Sequence, residues 1–312
     1  MCSLFGLIDF GKVLKPHRKN QILNTLAREC QVRGTDATGI AYHFDNRLRI
    51  YKRPLPARKM KFCVPPEVSV VMGHTRMTTQ GNAQFNRNNH PFIGEIAGTS
   101  FALAHNGVLW NDKTLHFTEN LPKTKIETDS YVAVQLLEKQ KALDLDSLQI
   151  MAEKVEGSFV FTVLDSEDSI WFVVGDNPLC IMFYNGFLLY ASTKEILNKT
   201  VKRLRLGKAT ETLEPMEGDI LCIDRYGQLT NGQFTPHVYP RWSRHRHFHN
   251  LYDIAADDYG YDDLFSTAKM FGILPEEVQA LLDYGCSEEE IEEMLYDPAL
   301  LREVTNELLY AY

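Results

Sequence analysis

The sequence predicts an α+β fold of layered strands and helices, followed by a distinct acidic helical extension. Two observations predict the first part and one predicts the second. Short apolar runs bounded by turn residues recur from "SLFGLIDF" at residue 3 to "GDILCIDRYGQLT", which ends at Thr230. Helical spacing occurs in only a few stretches between them, as expected where helices cover sheets. The formal charge of −8 is unevenly placed: residues 253–312 carry sixteen Asp or Glu against Lys269 and Arg302, a net of −14, leaving +6 for residues 1–252. Such asymmetry argues for two parts.

"SLFGLIDF" is an opening apolar strand. Residues 16–31 place Ile22, Leu23, Leu26, Ala27 and Cys30 at helical spacing. "TGIAYHF-DN-RLRIYKR" is a hairpin with Asp45-Asn46 as its turn. "VSVVMGHTR" and "FALAHNGVLW" are strands that end in polar residues. "DSYVAVQLLEKQ" has helical periodicity, and a second helix is expected near 145–155. "GSFVFTVLD", "SIWFVVGD", "LCIMFYN", "GFLLYAS" and "GDILCID" follow as antiparallel strands joined by tight turns. Residues 236–261 are expected to be an irregular linker. His245, His247 and His249 lie in it without a carboxylate or cysteine nearby, so a solvated basic segment is expected there. In the extension, 262–312, Pro275 suits a first helical position and Gly285 a C-terminal cap. Ser287 and Glu290 form a capping box, and Asp297-Pro298 starts a further helix. Val278, Leu281, Leu282, Ile291, Met294, Leu295, Leu300, Val304 and Leu308 would line its apolar side.

Composition excludes several classes. The apolar fraction of 44% and charged fraction of 24% are those of a soluble globular protein. No apolar run reaches the roughly 20 residues of a membrane span. The N-terminus lacks the pattern of a secretory signal, so a cytoplasmic location without membrane partners is expected. A charge of +6 without an aromatic-basic stripe does not favour nucleic acid. The six cysteines (2, 30, 63, 180, 222 and 286) show no metal-ligand spacing, and no metal or cofactor is expected.

Polar residues gather where strand ends do not need them. If Met1 is removed, Cys2 carries a thiol beside a free α-amine, whose pKa of about 7.7–8.0 lets it act as a base. "RGTDATG" (33–39) suits a tight turn near a binding site, or a turn held by an Arg33–Asp36 pair. "GHTRMTTQG" (73–81) places Arg76 just past a buried strand, where a guanidinium needs a carboxylate from protein or ligand. "AHNGVLWN" (104–111) offers the Asn106 amide beside the Gly107 N–H, a pair of oxyanion donors or an Asn-Gly turn. "ETDSYV" (127–132) starts a helix, where Asp129 also favours the helix dipole.

These segments, in this order and approximate spacing, resemble the class II glutamine amidotransferase domain found in glucosamine-6-phosphate synthase and asparagine synthetase. The likeness continues through "VEGSFVFTVLDSED", "GDNPLCI", "LLYASTKEIL" and "LEPMEGDILCID", and covers roughly residues 2–230. It implies the N-terminal nucleophile hydrolase fold, a four-layer αββα sandwich of two antiparallel sheets. The expected organisation is therefore 2–235 as the amidotransferase domain, 236–261 as linker and 262–312 as helical extension. The resemblance further implies that Cys2 is the nucleophile and its own amine the base. Asn106 and the Gly107 N–H would form the oxyanion hole. Arg76 would clamp the glutamine α-carboxylate and Asp129 its α-ammonium. Thr79 would line the pocket and Arg33 would steady it.

The chain departs from many members at Met77 and Gln80, where tryptophan and histidine are usual, which bears on pocket shape. No signature of a known synthase domain accompanies the likeness, so the ammonia acceptor is expected on a separate ligase or synthase subunit. A hydrolase of γ-glutamyl amides and a non-catalytic binding module are the other readings. The acidic extension would dock such a partner or pack on the basic domain.

Overall fold

The computed structural model describes residues 2–237 and, beyond them, 264–265, 268, 273–295, 301 and 305. The chain divides into two compact units, Met1–Tyr239 and Pro240–Tyr312. In the first unit two antiparallel sheets carry the strands. One has seven: β1 (Ser3–Ile8), β2 (Ala37–Phe44), β3 (Arg47–Arg53), β4 (Val70–Arg76), β9 (Cys180–Tyr184), β10 (Phe187–Ala191) and β11 (Glu211–Leu213), in the order β11-β9-β10-β1-β4-β2-β3. The other has six: β5 (Phe92–Ile96), β6 (Thr99–Leu109), β7 (Gly157–Leu164), β8 (Ile170–Val174), β12 (Asp219–Ile223) and β13 (Leu229–Gln233), in the order β13-β12-β8-β7-β6-β5.

Strand alternation builds the layers. On β1, Phe5 and Leu7 pack with Ile22, Leu23 and Leu26 of α1 (Pro16–Cys30) and Ile196 and Leu197 of α5 (Lys194–Leu204). Leu4 and Ile8 point the other way, into a core shared with Ala102, Val160 and Phe172 of the second sheet. On β7, Phe159, Phe161 and Val163 face α3 (Tyr131–Gln140) and α4 (Leu145–Lys154), while Val160 and Leu164 face the first sheet. A period of two thus fills three apolar interfaces and yields helix, sheet, sheet, helix. This is the expected αββα sandwich. The 45–46 turn forms as expected, with Asp45 and Asn46 at φ 51° and 53° and Phe44 opposite Arg47.

α2 (Asp112–Thr118) and α5 carry helical structure that the sequence reading left unassigned. α2 buries only Leu115, too little to show as a periodic pattern. In the second unit, α6 (Pro275–Tyr284) starts on Pro275 and ends on Gly285 at φ 102°. The Ser287–Glu290 box caps α7 (Glu288–Leu295): Ser287 N–H donates to Glu290 Oε2 at 2.9 Å and Glu290 N–H to Ser287 Oγ at 3.3 Å. Val278, Leu281, Ile291 and Leu295 share a small core with Leu264, Ile273 and Leu301. The helix expected at Asp297-Pro298, most of the linker, and His245, His247 and His249 lie outside the described residues.

One buried ion pair fixes α1 against the end of β1. Lys19 Nζ sits 3.3 Å from Asp9 Oδ2, the two side chains 3% and 1% exposed. Lys19 also donates to the carbonyls of Pro66 and Val68, and Asp9 Oδ1 accepts from Val13 N–H at 2.9 Å. Lys19→Met strands the carboxylate without a countercharge, so a loss of about 3–5 kcal/mol in denaturant unfolding is expected. Lys19→Met with Asp9→Leu should recover much of it. Equal losses in the single and double variants would show that packing of the lysine stem, and not charge pairing, holds this corner.

Candidate active site

Cys2 immediately precedes the central strand β1. Ser3 pairs with Thr75 of β4, and that register carries Cys2 to the end of β4 at Arg76. The thiol is buried, and the Met77 N–H donates to Sγ at 3.4 Å, with the Met77 carbonyl also at 3.4 Å. Arg33 Nε donates to the Cys2 carbonyl at 3.0 Å. Gly34 permits this approach: a Cβ there would lie 2.5 Å from the Arg76 carbonyl carbon. Asp36 completes the stitch, its N–H donating to Arg76 O at 2.9 Å and its Oδ2 accepting from Thr78 N–H at 2.7 Å. Burial pushes the Cys2 thiol pKa up, opposed by the Met77 N–H and the Arg76 charge, while Asp129 adds to the rise. Arg76, at the end of β4, and Asp129, just before α3, therefore both act on the thiol electrostatically.

Arg76 is 2% exposed, and its guanidinium donates to Asn89 Oδ1 at 2.8 Å, Gln80 O at 2.6 Å and Gly81 O at 3.4 Å. All three are neutral oxygens. A buried cation held this way is poised for an anion. Asn89 is in turn tied by its Nδ2 to Ala83 O at 2.7 Å, and Lys52 of β3 donates to the Asn89 and Pro91 carbonyls. Burial and the nearby Arg76 charge lower the Lys52 pKa to about 8. Thr79 lies in the exposed 77–79 stretch above Arg76, and Gln80 Nε2 donates to Asp112 Oδ2 at 3.0 Å.

β6 carries Asn106 and Gly107. Asn106 is 1% exposed, and both its Oδ1 and its Nδ2 are buried without a hydrogen-bond partner among the described residues. Buried amides are nearly always satisfied, so an unpaired one is exceptional. Gly107 sits at φ 143°, with Ser158 O 1.8 Å from where a Cβ would stand. Asn177 Nδ2 braces this stretch from behind, donating to Asn106 O at 3.2 Å and Ser158 Oγ at 2.6 Å. Asp129 is buried just before α3, and its Oδ2 accepts from Leu109 N–H at 2.7 Å.

A layer of buried histidines joins the sheets behind these groups. His74 of β4 donates from Nε2 to the His105 carbonyl of β6 at 2.9 Å, tying the Arg76 strand to the Asn106 strand. The His90 ring lies tilted against His74, centroids 4.2 Å apart, and both its nitrogens are buried without a hydrogen-bond partner among the described residues. Burial is the first cause lowering the pKa of all three, to about 3 for His74. Between pH 6.5 and each lowered value the unfolded chain holds a proton that the folded chain refuses. Stability therefore falls on acidification, by up to about 1.4 kcal/mol per pH unit for each histidine. Melting temperatures between pH 7.5 and 4.5 should show this drop, and His90→Leu should lessen it. A flat profile would contradict the neutral histidine layer.

Residues 74–199 match the family described as "Glutamine amidotransferase domain". Glutamine--fructose-6-phosphate aminotransferase (isomerizing) of Oceanobacillus iheyensis is 30% identical over 62% of this chain and 32% of its own length. That of Sulfurisphaera tokodaii is 31% identical over 72% of this chain and 40% of its own. The structure of glutamine phosphoribosylpyrophosphate amidotransferase from B. subtilis aligns with a TM-score of 0.57 at 20% identity, over 76% of this chain and 50% of that one. The chain carries a class II glutamine amidotransferase domain. It spans about a third of the length of the first of these curated relatives. In this amidotransferase domain Cys2, Arg33 and Arg76 lie at the β1–β4 end, while Asn106 and Gly107 come from β6 and Asp129 from just before α3. Asn89, Lys52, Ser130 and the three histidines were not singled out from the sequence, although "NNHPF" and "AHNG" contain three of them. No helix among the described residues is long and apolar enough to cross a membrane.

Proposed function

We propose that the domain hydrolyses the side-chain amide of glutamine through a thioester on Cys2 and supplies the ammonia to an acceptor enzyme on a separate subunit. The observations that carry this reading are a buried thiol on which the charges of Arg76 and Asp129 act, a buried Asn106 amide without a hydrogen-bond partner among the described residues, and an Arg76 guanidinium whose hydrogen bonds among those residues go to neutral oxygens. Removal of Met1 frees the Cys2 amine to take the thiol proton. The sulfur attacks the amide carbonyl, and the developing oxyanion is met by Asn106 Nδ2 and the Gly107 N–H. The C–N bond breaks, the leaving nitrogen takes the proton and departs as ammonia, and water then hydrolyses the glutamyl thioester. Arg76 and Asp129 read the two charged handles of a free amino acid. Arg33 steadies Cys2 through its carbonyl, and Thr79 lines the pocket mouth. Residues 2–235 suffice for this chemistry, with 236–261 as linker and 262–312 as an extension for partner docking.

Met77 is 42% exposed. This favours a second reading, in which the mouth admits γ-glutamyl amides larger than glutamine. Ammonia release from glutamine, assayed beside amine release from a panel of γ-glutamyl amides, separates the two. Arg76→Ala removes a charge-assisted contact worth about 1.5–3 kcal/mol, so KM for glutamine should rise about 10- to 150-fold. Asp129→Ala should act similarly. Unchanged KM in either variant would remove that residue from substrate recognition.

A further inference from the structure

We propose that Asn89 is a positioning residue that fixes the Arg76 guanidinium for the α-carboxylate of the substrate while leaving its positive charge uncompensated; this rests on the glutamine reading above. Asn89 is 1% exposed, and its Oδ1 accepts from Arg76 Nη1 at 2.8 Å. The other terminal nitrogen, Nη2, donates to the Gln80 carbonyl at 2.6 Å. With one oxygen on each terminal nitrogen, the plane of the guanidinium is set.

The partners of the amide decide which way it points. Arg76 can only donate, and the Ala83 carbonyl, 2.7 Å from Asn89 Nδ2, can only accept. Turning the amide over would set donor against donor and acceptor against acceptor, so its oxygen faces the arginine. A closed ring of hydrogen bonds anchors the residue itself. Asn89 N–H donates to Asn86 O at 3.2 Å, Asn86 Nδ2 to Lys52 O at 2.8 Å, and Lys52 Nζ to Asn89 O. Lys52 Nζ also donates to Pro91 O at 2.8 Å. The turn that carries Asn89 is thereby tied to β3, and Arg76 is held by a fixed point.

That this residue is asparagine and not aspartate has a consequence for binding. A buried charge is ordinarily paired. None of the ion pairs among the described residues includes Arg76, and the Asp36, Asp129 and Glu127 carboxylates act on it only from beyond 4 Å. Aspartate has the shape to reach the same nitrogen, but it would neutralise the charge that an arriving carboxylate needs. The amide supplies the acceptor without the charge. Without it the guanidinium would have to be immobilised as glutamine binds, at a cost in affinity.

The test compares ammonia release from glutamine and from 4-aminobutanamide, the same amide without the α-carboxylate, in the full chain. Asn89→Ala should raise KM for glutamine about 3- to 10-fold, the cost of ordering one freed side chain on binding. Its kcat should stay within about twofold. The ratio of the two kcat/KM values is taken on one preparation, so any loss of folded protein cancels, and this ratio should fall by the same factor. Asn89→Asp, of the same shape, should lower the ratio further, because its carboxylate pairs with Arg76 and opposes that of the substrate. Adding Asn89→Ala to Arg76→Ala should cost glutamine turnover nothing more, a comparison that needs glutamine alone. Equal losses on both substrates, an intact ratio in Asn89→Asp, or additive losses with Arg76→Ala would overturn the inference while leaving the glutamine reading in place. Wild-type protein that shows no preference for glutamine over 4-aminobutanamide would overturn both.

Discussion

Replacing Cys2 by alanine is expected to abolish ammonia release from glutamine, leaving no covalent route. The structure makes this stronger than a generic cysteine argument. Burial raises the Cys2 pKa, so at neutral pH the group is a thiol and needs a base. Retention of Met1 should therefore be nearly as damaging as Cys2→Ala, because an acylated nitrogen is no base. The remaining cysteines supply an internal control. Cys30, Cys180 and Cys222 are buried, each with its pKa pushed up to about 12, chiefly by burial. Cys63 is exposed and should react first with a simple alkylating agent. A glutamine-shaped electrophile should reverse that order and label Cys2 alone. Full activity in protein whose mass shows Met1 intact would end the amine-base mechanism, and labelling of Cys63 in place of Cys2 would end the thioester route.

The parts of the fold legible in the sequence are those whose signal is local. The β2–β3 hairpin announces itself through Asp45-Asn46, and α7 through Ser287 and Glu290, because one turn or one cap decides each. α5 was less legible, although Thr193 caps it and Ile196, Leu197, Thr200 and Leu204 share its buried face. Its eleven residues are rich in lysine and follow directly on a strand motif, which masked the change of period. At the site, motif residues could be named because each sits in a short distinctive string. Their supports could not. Lys52, His74 and Ser130 acquire their contacts only when β3, β4 and β6 are brought together by pairings spread across the two sheets. A histidine before an Asn-Gly pair carries no mark in sequence of which nitrogen will face Ser130.

Asn106→Ala should separate catalysis from stability. In most buried positions, removing an amide breaks hydrogen bonds and costs stability. Here both amide atoms are buried and have no hydrogen-bond partner among the described residues, so there is no bond to break there. Truncation instead relieves a desolvated polar group, whose penalty is about 1–3 kcal/mol, against the small cavity that alanine leaves. The melting temperature should hold or rise. Turnover should fall by about 10²–10³-fold, the usual loss for one oxyanion donor, with KM for glutamine little changed, since the donor acts on charge that develops only in the transition state. Gly107→Ala provides the contrast: at φ 143° and with Ser158 O 1.8 Å from the new carbon, the backbone itself must shift, so stability and turnover should fall together. An Asn106→Ala protein that melts several degrees lower would mean that the amide is paired in the resting protein. One that binds glutamine worse but turns it over normally would place Asn106 in ground-state recognition and leave the oxyanion to other donors.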